Sequence, residues 1–217
     1  MIIKTGRGNY HLLQFVLAAE EWARRCDRIP SGERGPFHGV PFSIKGNFQI
    51  KGCPANVGLT QFLERRCTED AAAVSLIKGM GGVPFCLTNT PTLCLSMQCS
   101  NQIYGATGLS YSIDVIPHSP QRYLCLGNPC DPIKECGGSS GGEAALIGAG
   151  GSVVGIGNDL GGSLRFPAAL CGIASLKPTF GRHLSSKGLF SPLMPNPQLH
   201  FISGNSDEYH LYSLYAF

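Results

Sequence analysis

The chain contains 217 residues, of which 43% are hydrophobic and only 14% are charged, and its formal net charge is +3. This hydrophobic fraction is enough for a buried core and excludes intrinsic disorder, which requires low hydrophobicity and high net charge. No run of basic residues is present, so a nucleic-acid partner, which requires a basic stripe on the protein, is also excluded.

Cysteine usage and the N-terminal sequence favour an intracellular protein with reduced thiols. The ten cysteines never form a C-x-x-C pair. The N-terminus lacks the apolar segment of a signal peptide, and residues 144–157, the most apolar stretch, are fewer than the ~20 that a membrane span needs. We therefore expect a location in the cytoplasm or at the periphery of intracellular membranes. An alternative zinc site would use four residues without a recognised metal-binding spacing, His118, Cys125, Cys130 and Cys136.

Apolar residues recur at helical spacing over residues 11–24, which predicts a helix with one apolar face. Leu12, Phe15 and Trp22 lie on that face. A helix that lies on a membrane surface is the alternative. It is disfavoured because the acidic residues Glu20 and Glu21 share the polar face.

Three patterns follow in alternation along the chain. Residues 40–44 predict a short strand that leads directly into Lys45, and residues 69–80 predict a helix with carboxylates at its start and a lysine near its end. Residues 83–88 predict the next strand. The alternation of strand, helix and strand is typical of an α/β sheet.

Residues 137–172 contain twelve glycines. The pattern predicts a loop over 137–142, a helix over 143–148, a strand over 153–157 and a second loop over 158–163. The first loop, taken alone, is compatible with a flexible linker or with a phosphate-binding loop. The apolar helix and strand patterns that follow argue against the linker, and the absence of a Walker or G-x-G-x-x-G pattern argues against the phosphate site.

The second glycine loop suits nucleophilic catalysis. A serine, Ser163, follows two glycines at the end of an apolar strand, where a tight turn leaves it accessible. The backbone N–H groups of residues 160–163 can then converge on one point, as an oxyanion hole requires. No histidine is placed by a motif to act as the base, and His38 is more simply interpreted as a structural residue.

Lys45 is the alternative base. A lysine buried in an apolar pocket has a lowered pKa, because burial disfavours its charged form. A neutral lysine can accept the proton of a serine hydroxyl. Taken alone, Lys45 is compatible with an exposed residue at the end of a surface strand, and the two glycine-serine loops favour the catalytic interpretation.

The chain resembles the amidase signature family, and within it the fatty acid amide hydrolase branch. The resemblance covers residues 35–192 and depends on several ordered motifs. These are GVPFSIK at 39–45, GGVPFCLTN at 81–89, CSN at 99–101, GGSSGGE at 137–143, GNDLGGSLRFP at 157–167 and CGIASLKPT at 171–179.

The resemblance implies a Ser–cis-Ser–Lys triad. Ser163 takes the position of the nucleophile, Ser139 that of the bridging serine after a non-proline cis peptide bond, and Lys45 that of the base. The proton would pass from Ser163 through Ser139 to Lys45 and then to the leaving amine. The implied reaction is amide hydrolysis through an acyl-enzyme, with no metal and no cofactor.

The resemblance also implies roles for the residues around the triad. The oxyanion would be bound by backbone N–H groups, and Cys94 would contact the substrate. Ser140, Asp159 and Arg165 would support the two loops. The implied oxyanion donors are Leu160, Gly161, Gly162 and Ser163.

The resemblance implies a mixed β-sheet core flanked by helices, only partly present in this chain. We expect an N-terminal helical segment over 1–34, a partial amidase signature domain over 35–193 and a divergent tail over 194–217. Residues 108–127 have no counterpart in the family pattern and are interpreted as an insertion. Gly46 stands where the family has an acidic residue. The family domain is typically more than twice as long as this chain.

Three functional hypotheses follow. The first is a serine hydrolase that cleaves carboxamides, with fatty acid amides as the favoured substrates. The second is a catalytically inactive fragment that acts through binding, because an incomplete sheet leaves edges unpaired. The third is an anion- or nucleotide-binding module built on the glycine loops. The expected partner is a small lipid-like amide, and peripheral membrane contact and a homo-oligomer are left open.

Overall fold

The computed structural model describes residues 12–107, 128–131, 134–177 and 211–216, with residues 12–14 and 211–216 described as backbone. The described residues form a mixed α/β fold in which a sheet is flanked by helices. The helices are α1 (Ala19–Asp27), α2 (Ala72–Gly79), α3 (Gly141–Gly148) and α4 (Arg165–Leu170).

In the described part of the chain, six strands form the main sheet in the order β1-β3-β2-β6-β8-β7, and β4 pairs with β5 in a separate hairpin. At its centre, β2 pairs in parallel with both β3 and β6, while β1 and β8 pair antiparallel on either side. The fold class expected from the sequence is confirmed. The strands are β1 (Leu12–Phe15), β2 (Pro41–Lys45), β3 (Val83–Thr88), β4 (Ser100–Asn101), β5 (Gly105–Ala106), β6 (Gly155–Asn158), β7 (Ala174–Ser175) and β8 (Leu211–Ala216).

One face of the central strands is apolar and packs against α2. Successive side chains of a strand point to opposite faces of the sheet, and paired residues share a face. Ile44 is paired with both Leu87 and Ile156. These three residues and Phe42 are buried in one cluster with Val74 and Ile77 of α2. We call this surface the apolar face, and it supplies much of the hydrophobic stabilisation of the described residues.

The opposite face carries the chemistry and packs against α3. Ser43 is paired with Cys86 and Gly155, and Lys45 is paired with Thr88. A side chain at Gly155 would place its Cβ 2.0 Å from Glu143 Oε2 of α3, so only glycine allows this close approach. We call this surface the polar face; its residues are Ser43, Lys45, Cys86, Thr88, Gly155 and Gly157.

The helix predicted over residues 11–24 is wrong for its first part. The segment Leu12–Phe15 is a strand that covers the outer edge of β3, and the helix begins at Ala19. A contact between distant parts of the chain explains this difference, because pairing of the segment with β3 satisfies the hydrogen-bonding N–H and C=O groups of both strands. Val16 N–H continues this pairing by donating to Phe85 O at 2.9 Å. Tertiary pairing therefore overrides the local helical spacing.

The other predicted elements are confirmed with small shifts of their ends. The helix predicted over 69–80 begins at Ala72, because Asp70 lies before it and accepts a hydrogen bond from Lys51 N at 2.8 Å. The helix predicted from 143 begins at Gly141, and the strand predicted over 153–157 runs over Gly155–Asn158. The predicted insertion lies outside the described residues, and of the predicted tail only the backbone of β8 is described.

Candidate active site

Lys45 lies at the carboxyl end of β2 and is completely buried, with 0% of its surface exposed. Its Nζ donates a hydrogen bond to Ser139 Oγ at 2.7 Å and another to Asn158 Oδ1. Burial lowers the pKa of Lys45, and the neighbouring acidic groups, Cys94 first among them, oppose this shift only in part. The alternative of an exposed strand-end lysine is therefore wrong.

Ser139 is buried between Lys45 and Cys94. The peptide bond from Gly138 to Ser139 is cis, as the family resemblance implies. Burial raises the pKa of the Cys94 thiol, and the charge of Lys45 opposes this shift in part. Leu93 and Cys94 have positive φ angles of 54° and 59°. This left-handed turn brings Cys94 against the pair formed by Lys45 and Ser139.

Ser140 joins the two glycine loops. Its backbone N–H donates to Ser163 O at 3.0 Å, and its hydroxyl donates to Asn158 O at 3.2 Å. At the start of α3, directly after this loop, a Cβ at Gly142 would lie 2.4 Å from the backbone N of Asn89, so the end of the loop lies directly against the residue that follows β3. The loop that carries Ser139 is thus fixed to the ends of both β3 and β6.

Ser163 lies half-buried in the loop after β6, and Asp159 organises that loop. The Asp159 carboxylate accepts hydrogen bonds from the backbone N–H groups of Gly162 at 2.6 Å and Arg165 at 3.1 Å. It also accepts from Arg165 Nε at 2.8 Å, although half of the Arg165 side chain is in solvent. Burial alone would raise the pKa of Asp159. The hydrogen bonds from Arg165 and Gly162 have the larger combined effect and lower it to about 2.

The four backbone N–H groups expected to bind an oxyanion are not equivalent. Leu160 and Gly161 are exposed, and Gly162 and Ser163 are half-buried, so the loop is open to solvent. The N–H of Gly162, a residue with φ of 117°, is already bonded to Asp159. The oxyanion site expected from the resemblance therefore depends on the other three groups.

Two polar residues of the site were not identified by the sequence analysis. Asn158 is the second acceptor for Lys45, and Glu143 lies fully buried on α3 beside the polar face. Burial raises the pKa of Glu143 to about 8, while the hydroxyl groups of Ser43 and Thr88 act in the opposite direction. The signal for Glu143 was available, since it is the one charged residue in the apolar helix GGEAALIG.

The remaining candidates lie elsewhere. His38 precedes β2 and packs beside Gly81, at the end of the strand opposite to Lys45, which agrees with the structural interpretation. Within the described residues, no cluster of histidine, cysteine and carboxylate side chains could hold a metal ion; His118 and Cys125 of the alternative zinc site lie outside them. No helix in the described part of the chain is long and apolar enough to cross a membrane.

Comparison with known proteins places this site in a family context. A family model described as Amidase matches residues 8–199. Fatty acid amide hydrolase 1 of Caenorhabditis elegans is 40% identical over 168 residues, which are 76% of this chain and 26% of that protein. Fatty-acid amide hydrolase 1 of Sus scrofa is 41% identical over 156 residues, 72% of this chain and 24% of that protein.

A solved structure of a fatty acid amide hydrolase superposes on the chain with a TM-score of 0.69 and 27% identity, covering 82% of this chain and 28% of that one. The chain therefore spans about a quarter of the length of each of these relatives. The family-model match extends over both glycine loops and the strand that carries Lys45.

Proposed function

Because the chain belongs to the amidase family, we propose that it hydrolyses carboxamide bonds through an acyl-enzyme on Ser163. The observation that carries the proposal is the buried hydrogen bond of 2.7 Å between Lys45 and Ser139. A lysine with a lowered pKa, hydrogen bonded to a serine and enclosed in the protein, has the properties of a general base.

In the proposed mechanism, Ser163 Oγ attacks the carbonyl carbon of the amide. The proton of Ser163 passes to Ser139 as Ser139 gives its own proton to neutral Lys45. The N–H groups of Leu160, Gly161 and Ser163 stabilise the oxyanion of the tetrahedral intermediate. When the C–N bond breaks, the proton returns from Lys45 through Ser139 to the leaving amine. Water then hydrolyses the acyl-enzyme by the same proton path.

Ser140, Asp159 and Arg165 have supporting roles in this proposal. Ser140 holds the bridging loop against the nucleophile loop, and Asp159 holds the turn that presents Ser163. Arg165 keeps Asp159 ionised, because their hydrogen bonds favour the carboxylate over the neutral acid. The proton path requires no metal and no cofactor.

We assign the substrate class to amides with an apolar acyl group, as the names of the relatives suggest. Large apolar side chains near the nucleophile support this. Met97 and Phe166 are exposed by 48% and 42%, and atoms of both lie 3.9 Å from the position of a Cβ at Gly162. Cys94 lies beside Lys45 and Ser139, where it would contact the carbonyl end of the substrate.

Labelling with a fluorophosphonate probe, followed by peptide mass spectrometry, tests the proposal. Such a probe phosphonylates an activated serine, so we expect an adduct on Ser163 of the purified chain. The adduct should be lost in Ser163→Ala and retained in Ser75→Ala, a control on the exposed side of α2. A folded chain without any adduct on Ser163 would overturn the proposal and favour the inactive alternative.

A further inference from the structure

Glu143 is a buried carboxyl group that the proposed mechanism does not use. It lies in the first turn of α3, four residues after Ser139, and 0% of its surface is exposed. Its carboxyl group joins two strands, because Oε2 accepts from Ser43 Oγ at 2.7 Å and Oε1 accepts from Thr88 Oγ1 at 2.8 Å. An ionisable group in such a place costs free energy unless its partners compensate for the lost water.

Both partners of Glu143 are neighbours of Lys45. Ser43 lies two residues before Lys45 on the same face of β2, and Thr88 is the residue of β3 that pairs with Lys45. Gly155 of β6 completes the enclosure, since a side chain there would meet Glu143 Oε2 at 2.0 Å. Three strands thus provide a space for a carboxylate next to the lysine.

The hydroxyl groups around Glu143 accommodate either protonation state. When Glu143 is ionised, Ser43 and Thr88 both donate to it, and Ser152 donates to Val154 O at 2.8 Å. When Glu143 is protonated, it can donate to Ser43, which then donates to Ser152 Oγ at 3.0 Å, while Ser152 keeps its own acceptor. In both protonation states of Glu143, the hydroxyl groups of Ser43, Thr88 and Ser152 each have an acceptor.

Few other charges face Glu143. Lys45 comes from β2 and Cys86 from β3, and β6 contributes no titratable side chain along Gly155–Asn158. From α4, the Arg165 guanidinium is already bonded to Asp159. Among the described side chains, the electrostatic partner of opposite charge for Glu143 is therefore Lys45, and each group favours the charged form of the other. Cys94, Cys99 and Asp159 also favour the charged form of Lys45, and each of them acts more strongly than Glu143.

We propose that Glu143 is a positioning residue for Lys45: where Glu143 is ionised, its buried carboxylate stabilises the ammonium form of the base and so contributes to the pH above which Lys45 can accept a proton. The inference depends on the proposed function, in which Lys45 is the base. It also gives α3 a second role, because the helix that follows Ser139 carries the carboxyl group that acts on Lys45, the residue that donates a hydrogen bond to Ser139.

A direct titration of Lys45 tests the inference. In protein labelled with ¹³C-lysine, the Cε chemical shift of Lys45, assigned by its loss in Lys45→Met, reports the protonation of the amine. Glu143→Gln removes the charge but keeps a hydrogen-bonding group of the same shape. Removal of a negative neighbour lowers the pKa of an amine, so we expect the titration midpoint to move to lower pH by about one unit.

Two comparisons make the result decisive. Glu64→Gln, at an exposed position, should leave the midpoint unchanged, and Thr88→Val, which removes one donor to Glu143, should lower it by less than Glu143→Gln. An unchanged midpoint in a folded Glu143→Gln protein would overturn the inference. If that variant does not fold, an unchanged midpoint in Thr88→Val would overturn it instead.

The pH profile of fluorophosphonate labelling separates this inference from the proposed function. If both hold, the acidic limb of the labelling rate moves to lower pH in Glu143→Gln, in step with the Lys45 midpoint. A shifted midpoint without labelling of Ser163 in any variant would retain the inference on Lys45 and refute the hydrolase. Labelling whose acidic limb does not move with Glu143→Gln would refute the inference and retain the hydrolase.

Discussion

The apolar face and the polar face belong to the same three strands, yet they differ in almost every property. Phe42 and Ile44 of β2 meet α2 through hydrocarbon contacts, while Ser43 of the same strand meets α3, and Lys45 meets the loop before it, through hydrogen bonds. The period of two residues in a strand allows this separation. A short strand can therefore contribute to the core with one set of residues and to a site with the other.

The two faces also contribute differently to the free energy of folding. Burying Ile44 and Leu87 is favourable, whereas burying Lys45 and Glu143 is unfavourable unless each of their polar atoms has a partner. The polar face is tolerated because the hydroxyl and amide groups around it supply those partners. Substitutions on the two faces should therefore have separable effects on stability and on reactivity.

The largest effect is expected on the polar face. Lys45→Met removes the base, so the rate of fluorophosphonate labelling should fall by about a hundred- to ten-thousand-fold. The unfolding free energy should change by less than about 1 kcal/mol, because relief of lysine desolvation offsets the two lost hydrogen bonds. Lys51→Met, at an exposed position, should change neither. Labelling of Lys45→Met at the wild-type rate would contradict the role of Lys45.

The opposite result is expected on the apolar face. Ile44→Ala leaves a cavity beside α2 and should lower the free energy of unfolding by about 2–5 kcal/mol, measured by chemical denaturation. The labelling rate of the folded fraction should stay near the wild-type value. Leu17→Ala, whose side chain is 86% exposed, should cost little stability. A large loss of reactivity in folded Ile44→Ala would mean that the two faces are not separable.

The smallest effect tests the contact between the polar face and α3. Gly155→Ala places a methyl group against Glu143 and Ser43. We therefore expect a loss of about 1–3 kcal/mol in unfolding free energy as these side chains move. Gly32→Ala, where no heavy atom lies within 4 Å of the new Cβ, is the matched control. Equal stability of the two variants would show that α3 does not need the glycine.

Much of the fold could be predicted from the sequence because local patterns and tertiary structure agree in the central strands. The apolar runs that contain Phe42 and Leu87 are strands, and the glycine pattern over 137–163 gives the observed succession of loop, helix, strand and loop. Burial of Lys45 was also predictable, since an apolar strand leads directly into it.

What could not be predicted depends on contacts between distant parts of the chain. Nothing local to residues 12–15 indicates that the edge of β3 is available for pairing. Asn158 and Glu143 become meaningful only when β6 and α3 are placed beside β2. The N–H of Gly162 was expected to bind an oxyanion, but it donates a hydrogen bond to the carboxylate of Asp159, three residues earlier. The roles of the triad residues stay predictions until labelling is measured.

The pairing of Lys45 with Asn158 spans 113 residues, and that of Lys45 with Ser139 spans 94. The entropic cost of closing a loop rises with its length, so these contacts form at a greater cost than the pairing of β2 with β3. During synthesis the lysine emerges from the ribosome long before either of its partners does. Until α3 and β6 are in place, its amine remains in water and keeps its proton. The order of the chain thus delays the burial of Lys45, and with it the lowering of its pKa, until the sheet around it has closed.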